Sequence, residues 1–355
     1  MVALRWRAGL DRGVFLMHVL VTEEFARHHA DAVRRIVPAP CELVITDPLT
    51  DEFPAHLDRV EVAFLSLDLM GGKDAGGAHP RLRAFSRVAD RTSALRWIHT
   101  QAAGADREVL QNAMRRGAVV TTSSGASAQA VAHTAIAGML ALAKNVPHWV
   151  NSQTKKIWAT PPRDQWPDDI DGSRALVVGT GPIGQAIARI AGAMGMHVSG
   201  VRRSAQPLPD FEHMFDFSQI AEALPETDWL FLACPLTAQT RGLVNAPFLA
   251  RLPSHARIVN VARGEVVADA DLRSALIGGR VAGYYSDVFA GEPLGATSDW
   301  WETPHTLMSP HLAAASTGYG PRTVQAFLEN LSRYVAGEPL RNVVTPPEPP
   351  GSPGA

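Results

Sequence analysis

The sequence Val177-Val178-Gly179-Thr180-Gly181-Pro182-Ile183-Gly184 contains the clearest structural signal in this chain. It completes an apolar run that starts at Arg174, and such a run ending in glycine is typical of a buried parallel strand. From Pro182 to Met194, apolar residues recur at helical spacing. Glycines spaced in this way between a strand and a helix predict a dinucleotide site with its phosphates at the helix N-terminus. A purely structural glycine turn is the alternative.

The end of the next predicted strand, Met196–Val201, indicates which dinucleotide fits. NAD-binding folds place Asp or Glu there, to accept a hydrogen bond from the ribose 2′-hydroxyl. This chain instead has Arg202, Arg203 and Ser204. Because two guanidinium groups beside a hydroxyl suit a 2′-phosphate, the sequence favours NADP(H), with NAD(H) still possible. The alternative is a pair of solvated loop arginines.

The composition narrows the function classes. A chain of 355 residues is long enough for two domains with sizeable cores. Its hydrophobic content of 46% and net charge of −2 are typical of a globular protein, without the basic excess that nucleic acids or membrane surfaces attract. No apolar run is long enough to span a bilayer. Cys41 and Cys234 make neither a disulfide framework nor a metal cluster, so we expect no metal and a reducing, cytoplasmic location.

The two ends of the chain are expected to lie outside the folded domains. Residues 1–16 contain dispersed arginines without the apolar core of a signal peptide. We interpret them as an extra arm or as a misassigned upstream start, because a predicted strand opens at Met17. Residues 345–355 are rich in proline and glycine and are predicted to be disordered.

Strands and helices alternate along the rest of the chain. The strands predicted in the first half are Met17–Thr22, Glu42–Thr46, Glu61–Leu67, Leu95–Thr100 and Ala118–Thr122. Those predicted in the second half are Ala175–Gly179, His197–Val201, Trp229–Ala233, Arg257–Val261, Val281–Ser286 and Thr306–Ser309. Six strands with helices between them predict an α/β fold with a doubly wound parallel sheet. A long apolar helix is predicted at Ser127–Lys144, a crossing between domains at Trp158–Asp171, and a last helix at about Tyr319 to Val335.

Five further motifs occur in order along the chain. They are Leu95-Arg-Trp-Ile-His-Thr-Gln-Ala-Ala-Gly-Ala-Asp106, Cys234-Pro-Leu-Thr237, Val259-Asn-Val-Ala-Arg-Gly-Glu265, Asp287-Val-Phe-Ala-Gly-Glu-Pro293 and Ser309-Pro-His-Leu-Ala313. Together with the glycine turn, they resemble the D-isomer-specific 2-hydroxyacid dehydrogenases, a family that includes glyoxylate/hydroxypyruvate reductases and phosphoglycerate dehydrogenases. The resemblance extends from Met17 to about Val344.

The resemblance implies two Rossmann-like domains with a catalytic cleft between them. The dinucleotide-binding domain, a doubly wound parallel sheet, would comprise residues 146–311. A flavodoxin-like substrate-binding domain would comprise residues 17–145 and 312–344. The family is usually homodimeric, and the helix at residues 127–144 would form the interface.

Three side chains match the family's catalytic groups. Arg263 follows a predicted strand, and its planar guanidinium suits a carboxylate together with the adjacent ketone oxygen. His311 could give a proton in reduction and take one in oxidation. Glu292 would hydrogen-bond the imidazole and favour its charged form; the similar formate dehydrogenases carry glutamine there, so glutamate argues for hydroxyacid chemistry. The alternatives are a surface arginine, a structural histidine and a solvated loop glutamate.

The resemblance implies further contacts with substrate and cofactor. Ala102, Ala103 and Gly104 would present backbone N–H groups to the substrate carboxylate, although they would equally suit a plain turn. Asp287 would accept a hydrogen bond from the nicotinamide carboxamide, but an Asp at a strand end can also bond local backbone. The remaining predicted cofactor contacts, beside His311 and the residues already named, are Thr180, Pro182, Ile183, Cys234, Pro235, Thr240, Val261 and Ala262.

The chain departs from the family pattern at several positions. Arg202 replaces the Asp of NAD-preferring relatives, and His133 stands where many members have Glu. Tyr284-Tyr285-Ser286 replaces smaller and apolar residues, which changes the packing beside the nicotinamide. The glycine-rich extension of Ser66–Gly77 leaves the substrate identity open, and Trp300-Trp301 either walls the pocket or packs elsewhere.

The sequence therefore predicts a cytoplasmic, homodimeric, NADPH-preferring reductase of a small 2-keto acid such as glyoxylate or hydroxypyruvate, without nucleic-acid or membrane partners. One alternative is the same chemistry run with NAD on a sugar acid or a phosphorylated acid, for which Lys73 is the candidate extra cation. The other is a non-enzymatic, dinucleotide-sensing corepressor of the same fold, which the intact set of Arg263, Glu292 and His311 disfavours.

Overall fold

The computed structural model describes residues 16–37, 40–46, 56–70, 80–163 and 166–344. The arm predicted at residues 1–16, except its last residue, and the whole tail at 345–355 lie outside the described residues, as does the glycine-rich part of the 66–77 loop with Lys73. The chain divides into two compact units, one formed by the part up to Ala126 with the part from Thr317, the other by Ser127–Ser316.

Strands and helices alternate in both units. In chain order they are β1 (Met17–Thr22), α1 (Glu23–Ile36), β2 (Cys41–Thr46), β3 (Val60–Leu65), α2 (Pro80–Arg91), β4 (Trp97–Thr100), α3 (Glu108–Arg115), β5 (Val119–Thr122), α4 (Ala128–Ala143) and α5 (Val146–Thr154). They continue with β6 (Arg174–Val178), α6 (Pro182–Ala193), β7 (His197–Arg202), β8 (His213–Asp216), α7 (Ile220–Ala223), β9 (Trp229–Leu232), α8 (Ala246–Leu249), β10 (Arg257–Asn260), α9 (Asp269–Ile277), β11 (Gly283–Ser286), β12 (Thr306–Met308) and α10 (Tyr319–Ala336).

The first unit contains a 5-stranded parallel sheet in the order β2-β1-β3-β4-β5. This order is that of the flavodoxin-like folds. Every residue of β1 is buried, because helices cover both faces of a parallel sheet. Phe327 and Leu331 of α10 pack into the core of this unit beside Val19 and Phe64. The last helix therefore belongs to the first unit.

The second unit contains a 7-stranded parallel sheet in the order β12-β11-β10-β9-β6-β7-β8. The strand order reverses between β6 and β9, which is the doubly wound arrangement, and separate buried clusters cover the two faces. Helices α4 and α6 lie on one face, where Ile136 and Met139 pack near Ile187. The predicted fold class, two α/β units with a flavodoxin-like and a doubly wound parallel sheet, is confirmed.

The structure also corrects details of the predicted elements. The prediction of six strands in the second half missed β8, a half-exposed edge strand whose residues His-Met-Phe-Asp contain no apolar run. Strand β3 ends at Leu65, and Leu67–Met70 forms a 3₁₀ turn instead of continuing it. The units divide after residue 126, so that α4 and the stretch 158–171 both lie in the second unit. The functional assignment of the two units stays a prediction.

Candidate active site

The glycine turn between β6 and α6 has the local geometry that its sequence predicts. Gly179 has a φ of +98°, in the left-handed region, and a Cβ there would lie 2.5 Å from the backbone of Cys234. A Cβ on Gly184 would overlap the carbonyl oxygen of Gly179, so the helix approaches the strand closely. A Cβ on Gly181, which caps the helix ahead of Pro182, would meet nothing within 4 Å. The backbone of Gly181 is therefore open to a ligand.

A cavity of about 570 Å³ lies beyond the carboxyl ends of β6, β7 and β9, where the strand order reverses. Its volume is typical of a site for a small molecule or cofactor. The lining residues are Gly179, Thr180, Gly181, Val201, Arg202, Arg203, Ser204, Phe217, Ala233, Cys234, Pro235, Thr237, Gln239 and Thr240. Nine of these were predicted to contact the cofactor. The other five, which were missed, are Val201, Phe217, Ala233, Thr237 and Gln239. Phe217 and Gln239 come from loops that follow β8 and β9 without a recognisable pattern. The position, the open Gly181 and the arginines all fit a dinucleotide.

The end of β7 places two cations at this cavity. Arg202 is half-buried, and Arg203 and Ser204 are exposed. Asp216 of β8 is the neighbour of Arg202 in the sheet. Its carboxylate accepts hydrogen bonds from the backbone and hydroxyl of Ser218, at 2.7 and 2.5 Å, and the hydroxyl bond in particular lowers its pKa. The Asp216 carboxylate thus bonds to Ser218, just before α7.

The side chain of Asn260 holds the loop that carries Arg263 through hydrogen bonds to the loop backbone. The buried Asn260 side chain accepts a hydrogen bond from the Ala262 N–H at 3.0 Å and donates to the Arg263 carbonyl at 3.2 Å. One guanidinium nitrogen of Arg263 donates to the Ala262 carbonyl at 2.8 Å. A Cβ on Gly264 would overlap the backbone of Phe289, so the Arg263 loop lies directly against the loop that leads to Glu292.

Glu292 and His311 form a hydrogen-bonded pair. Glu292 Oε2 lies 2.6 Å from His311 Nδ1, and Glu292 Oε1 accepts from the Phe289 N–H at 2.9 Å. His311 has a φ of +54°, and its N–H donates to the Asp287 carbonyl at 2.8 Å. Because a carboxylate only accepts, Nδ1 carries a proton, which leaves Nε2 as the nitrogen that exchanges a proton with a substrate.

Asp287 holds the segment that carries His311. Its buried carboxylate accepts from the Ser309 hydroxyl at 2.5 Å and from the N–H groups of Leu312 and Ala313, both at 2.9 Å. The structure thus shows the local backbone bonding that was the alternative for this residue. A contact of Asp287 with nicotinamide stays a prediction, as do the contacts of Val261 and Ala262, which do not line the cavity.

The predicted substrate loop, Ala102 to Gly104, lies in the first unit after β4. The Ala102 N–H already donates to the Thr100 hydroxyl at 3.2 Å, so that donor is engaged locally. Before the loop, the carbonyl and side-chain oxygens of the buried Gln101 accept from the Tyr319 hydroxyl at 2.8 and 2.6 Å. Sequence analysis missed Tyr319, because the two residues are far apart in the chain.

The two adjacent tryptophans have different environments. Trp300 is buried, with its ring 5.3 Å from Tyr284 and 5.8 Å from Phe289, and it donates to Asp269. Trp300 is thus a core residue, which is the packing alternative for this position. Trp301 is exposed and donates to the Gly295 carbonyl.

The described residues contain neither a candidate membrane span nor a candidate metal site. No helix there is both long and apolar enough to cross a membrane. In the same part of the chain, no group of three His, Cys, Asp or Glu side chains could hold a metal ion.

Comparisons with known proteins identify the family. Residues 136–313 match the family model described as D-isomer specific 2-hydroxyacid dehydrogenase, NAD binding domain. A glyoxylate reductase from Thermococcus kodakarensis is 31% identical over 261 residues, which cover 72% of this chain and 78% of that protein. A D-isomer specific 2-hydroxyacid dehydrogenase from Xanthobacter autotrophicus Py2, solved with NADPH and MES, is 27% identical with a TM-score of 0.72, over 93% of this chain and 98% of that chain. A family member from Aeromonas salmonicida has the same fold, with a TM-score of 0.76 at 24% identity over 94% of this chain and 99% of that chain. The chain therefore belongs to the D-isomer-specific 2-hydroxyacid dehydrogenases, a family of oxidoreductases that use a nicotinamide dinucleotide.

Proposed function

We propose that this protein is an NADPH-preferring reductase of small 2-keto acids, with glyoxylate or hydroxypyruvate as its substrate. The main support is that the loops carrying Arg263 and Glu292 pack together in one unit, where Glu292 also pairs with His311. The Arg263 loop packs on the loop of Glu292 at Gly264, and Glu292 holds His311 at 2.6 Å. The glyoxylate reductases among its relatives support the substrate class.

The cofactor-binding role is proposed for the cavity at the glycine turn. The N–H groups at the start of α6 and the open backbone of Gly181 would hold the pyrophosphate. Arg202, Arg203 and Ser204 would hold a 2′-phosphate through charge-assisted hydrogen bonds. When bound, the reduced nicotinamide supplies the hydride.

Each catalytic side chain has one proposed task in reduction. Arg263 binds the substrate carboxylate and polarises the ketone. His311 donates the proton on Nε2 to the alkoxide oxygen that develops, and becomes neutral. Glu292 accepts from Nδ1–H throughout, so that it orients the ring and stabilises the imidazolium before the transfer. In the oxidation direction, the neutral Nε2 takes the hydroxyl proton.

The homodimer is also part of this proposal. The segment after α4 exposes Trp149 (56%), Val150 (56%), Ile157 (56%) and Trp158 (97%). Several large apolar side chains exposed within one short segment are typical of association surfaces. The helix α4 and this segment are therefore the proposed interface, and a cytoplasmic location stays a prediction.

The test of the function is steady-state oxidation of NADPH and of NADH with glyoxylate, hydroxypyruvate, pyruvate and phenylpyruvate. We expect turnover with a preference for NADPH of about 10-fold or more in kcat/KM, which corresponds to about 1.4 kcal/mol. The variant Arg203→Ala should lose most of that preference, whereas Arg189→Ala, an exposed arginine on α6, should retain it. Turnover with NADH alone would overturn the 2′-phosphate site. Cofactor binding without any turnover would favour the corepressor or a different acid.

A further inference from the structure

Two neighbouring tyrosines lie in β11, directly before Asp287. Successive side chains of a strand point to opposite faces of the sheet. Tyr284 accordingly belongs to the buried cluster with Phe289 and Trp300, whereas Tyr285 belongs to the cluster on the other face. Both residues are buried, and burial raises the pKa of Tyr284 to about 12 and raises that of Tyr285. Both hydroxyls are thus protonated near neutral pH and can donate hydrogen bonds.

The Tyr284 hydroxyl connects the two loops that carry Arg263 and Glu292. It accepts from the Asn260 side-chain amide at 3.3 Å, and the same amide also donates to the Arg263 carbonyl at 3.2 Å. It donates to the Ser286 hydroxyl at 2.9 Å, which in turn donates to the Val288 carbonyl at 2.7 Å. Asn260, Tyr284 and Ser286 are all buried, so water cannot replace a missing partner.

The Tyr285 hydroxyl connects to the segment that carries His311. It lies 2.7 Å from the Ser309 hydroxyl. Because Ser309 gives its own hydrogen to the Asp287 carboxylate at 2.5 Å, Tyr285 must be the donor of this pair. Asp287 then fixes the backbone on both sides of His311, through the His311 N–H to its carbonyl and the Leu312 N–H to its carboxylate.

Helix α4 is shaped to receive the Tyr285 ring. A Cβ on Gly138 would overlap the ring carbon Cγ and lie 2.5 Å from Cδ1. Glycine in the middle of a helix is unfavourable by itself. Its presence against the ring indicates that the position of Tyr285 is specified by the surrounding core.

We propose that Tyr284 and Tyr285 are positioning residues that hold the candidate catalytic groups from opposite faces of the sheet. Tyr284 positions the loops of Arg263 and Glu292, and Tyr285 positions the segment of His311. The kinetic part of this assignment rests on the proposed function, while the structural part does not. Neither tyrosine is assigned a contact with substrate or cofactor.

The test compares Tyr284→Phe and Tyr285→Phe with Tyr334→Phe, which removes a buried tyrosine's hydroxyl in the other unit. These changes keep the rings, so the variants should fold. Tyr284→Phe should raise KM for the keto acid and lower kcat, each by about 5-fold, because Arg263 acts in both binding and catalysis. Tyr285→Phe should lower kcat by about 10-fold with KM for the keto acid unchanged, because Arg263 is the proposed binder of the keto acid and His311 the proposed proton donor. Tyr334→Phe should change neither constant.

Amide hydrogen exchange provides a readout that does not need turnover. Tyr284→Phe should speed exchange at Ala262 and Val288, and Tyr285→Phe should speed it at Leu312 and Ala313, each leaving the other pair unchanged. Lower thermal stability with wild-type kcat and KM in both variants would overturn the positioning role. Absence of turnover in the wild type would instead refute the proposed function, and the exchange pattern would still decide whether the tyrosines hold these loops.

Discussion

Gly264 is the residue at which the two catalytic loops come closest. A Cβ on Gly264 would overlap the backbone atoms of Phe289 and Ala290, which cannot rotate away as a side chain can. Any other residue must therefore separate the loop of Arg263 from the loop of Glu292. The glycine belongs to a family motif in the sequence, but the reason for it is visible only in the structure.

We therefore expect Gly264→Ala to reduce both activity and stability. Overlap with rigid backbone should cost about 2 kcal/mol or more, and kcat/KM should fall at least about 10-fold because Arg263 and Glu292 move apart. Gly291→Ala is the matched control, since a Cβ there meets nothing within 4 Å and its φ is not positive. Urea unfolding and steady-state kinetics measure both effects. Equal behaviour of the two variants would contradict the close approach of the loops.

The second prediction for a single residue concerns the proton transfer by His311. His311→Asn should lower kcat by about 10²- to 10⁴-fold, because no group then protonates the alkoxide. Binding of NADPH, followed by fluorescence, should change far less than kcat, since His311 does not line the glycine-turn cavity, where most of the predicted cofactor contacts lie. The exposed His28 on α1 serves as the control in His28→Asn. A kcat near that of the wild type in His311→Asn would remove the acid/base assignment.

At the scale of elements, the sequence predicted the strands, helices and turns that have a recognisable local pattern. Strands such as β6 and β9 are mostly apolar because they are buried on both faces of the sheet. The turn at Gly179 is recognisable because its glycines are spaced for a tight turn and a close approach to phosphate. Strand β8 was missed because its half-exposed residues at the sheet edge need no apolar pattern. Contacts such as Asn260 with Tyr284, or Gly138 with Tyr285, join residues that are distant in sequence, and no local pattern records them.

Strand β4 carries a buried histidine, His99, and both of its ring nitrogens have a hydrogen-bond partner. His99 Nδ1 lies 2.7 Å from the Thr121 hydroxyl and Nε2 lies 2.9 Å from the Ser123 hydroxyl. Thr121 also accepts from Trp97 at 2.8 Å, and Ser123 donates to the Thr100 carbonyl at 3.1 Å. Since Ser123 gives its own hydrogen to the Thr100 carbonyl, Nε2 must be the donor to Ser123, and in the neutral ring Nδ1 accepts from the Thr121 hydroxyl.

This environment predicts a loss of stability in acid. Burial lowers the pKa of His99 from 6.5 to about 3 in the folded chain. The unfolded chain therefore binds a proton that the folded chain does not between these pH values, and stability falls as the pH falls from about 6.5 toward 3. Between pH 7 and pH 5 the loss from this residue should be about 2 kcal/mol. The variant His99→Asn has no titrating group at this position. Its free energy of unfolding, measured from urea curves, should therefore fall by about 2 kcal/mol less than that of the wild type between pH 7 and pH 5. An identical pH dependence in both proteins would contradict the neutral buried ring.

At the scale of the whole molecule, the prediction concerns association. The segment after α4 exposes two tryptophans, Trp149 and Trp158, and such side chains dominate the energy of interfaces when they become buried. If this surface forms the proposed homodimer, each tryptophan should contribute about 2 kcal/mol, or about 30-fold in the dissociation constant. Analytical ultracentrifugation over a range of concentrations should then show a dimer for the wild type and dissociation for Trp149→Ser/Trp158→Ser. Trp301→Ser, which changes a tryptophan 54% exposed elsewhere in the same unit, should remain dimeric. A monomeric wild type would contradict the proposed homodimer. A double variant that dimerises as tightly as Trp301→Ser would show that the dimer interface lies elsewhere.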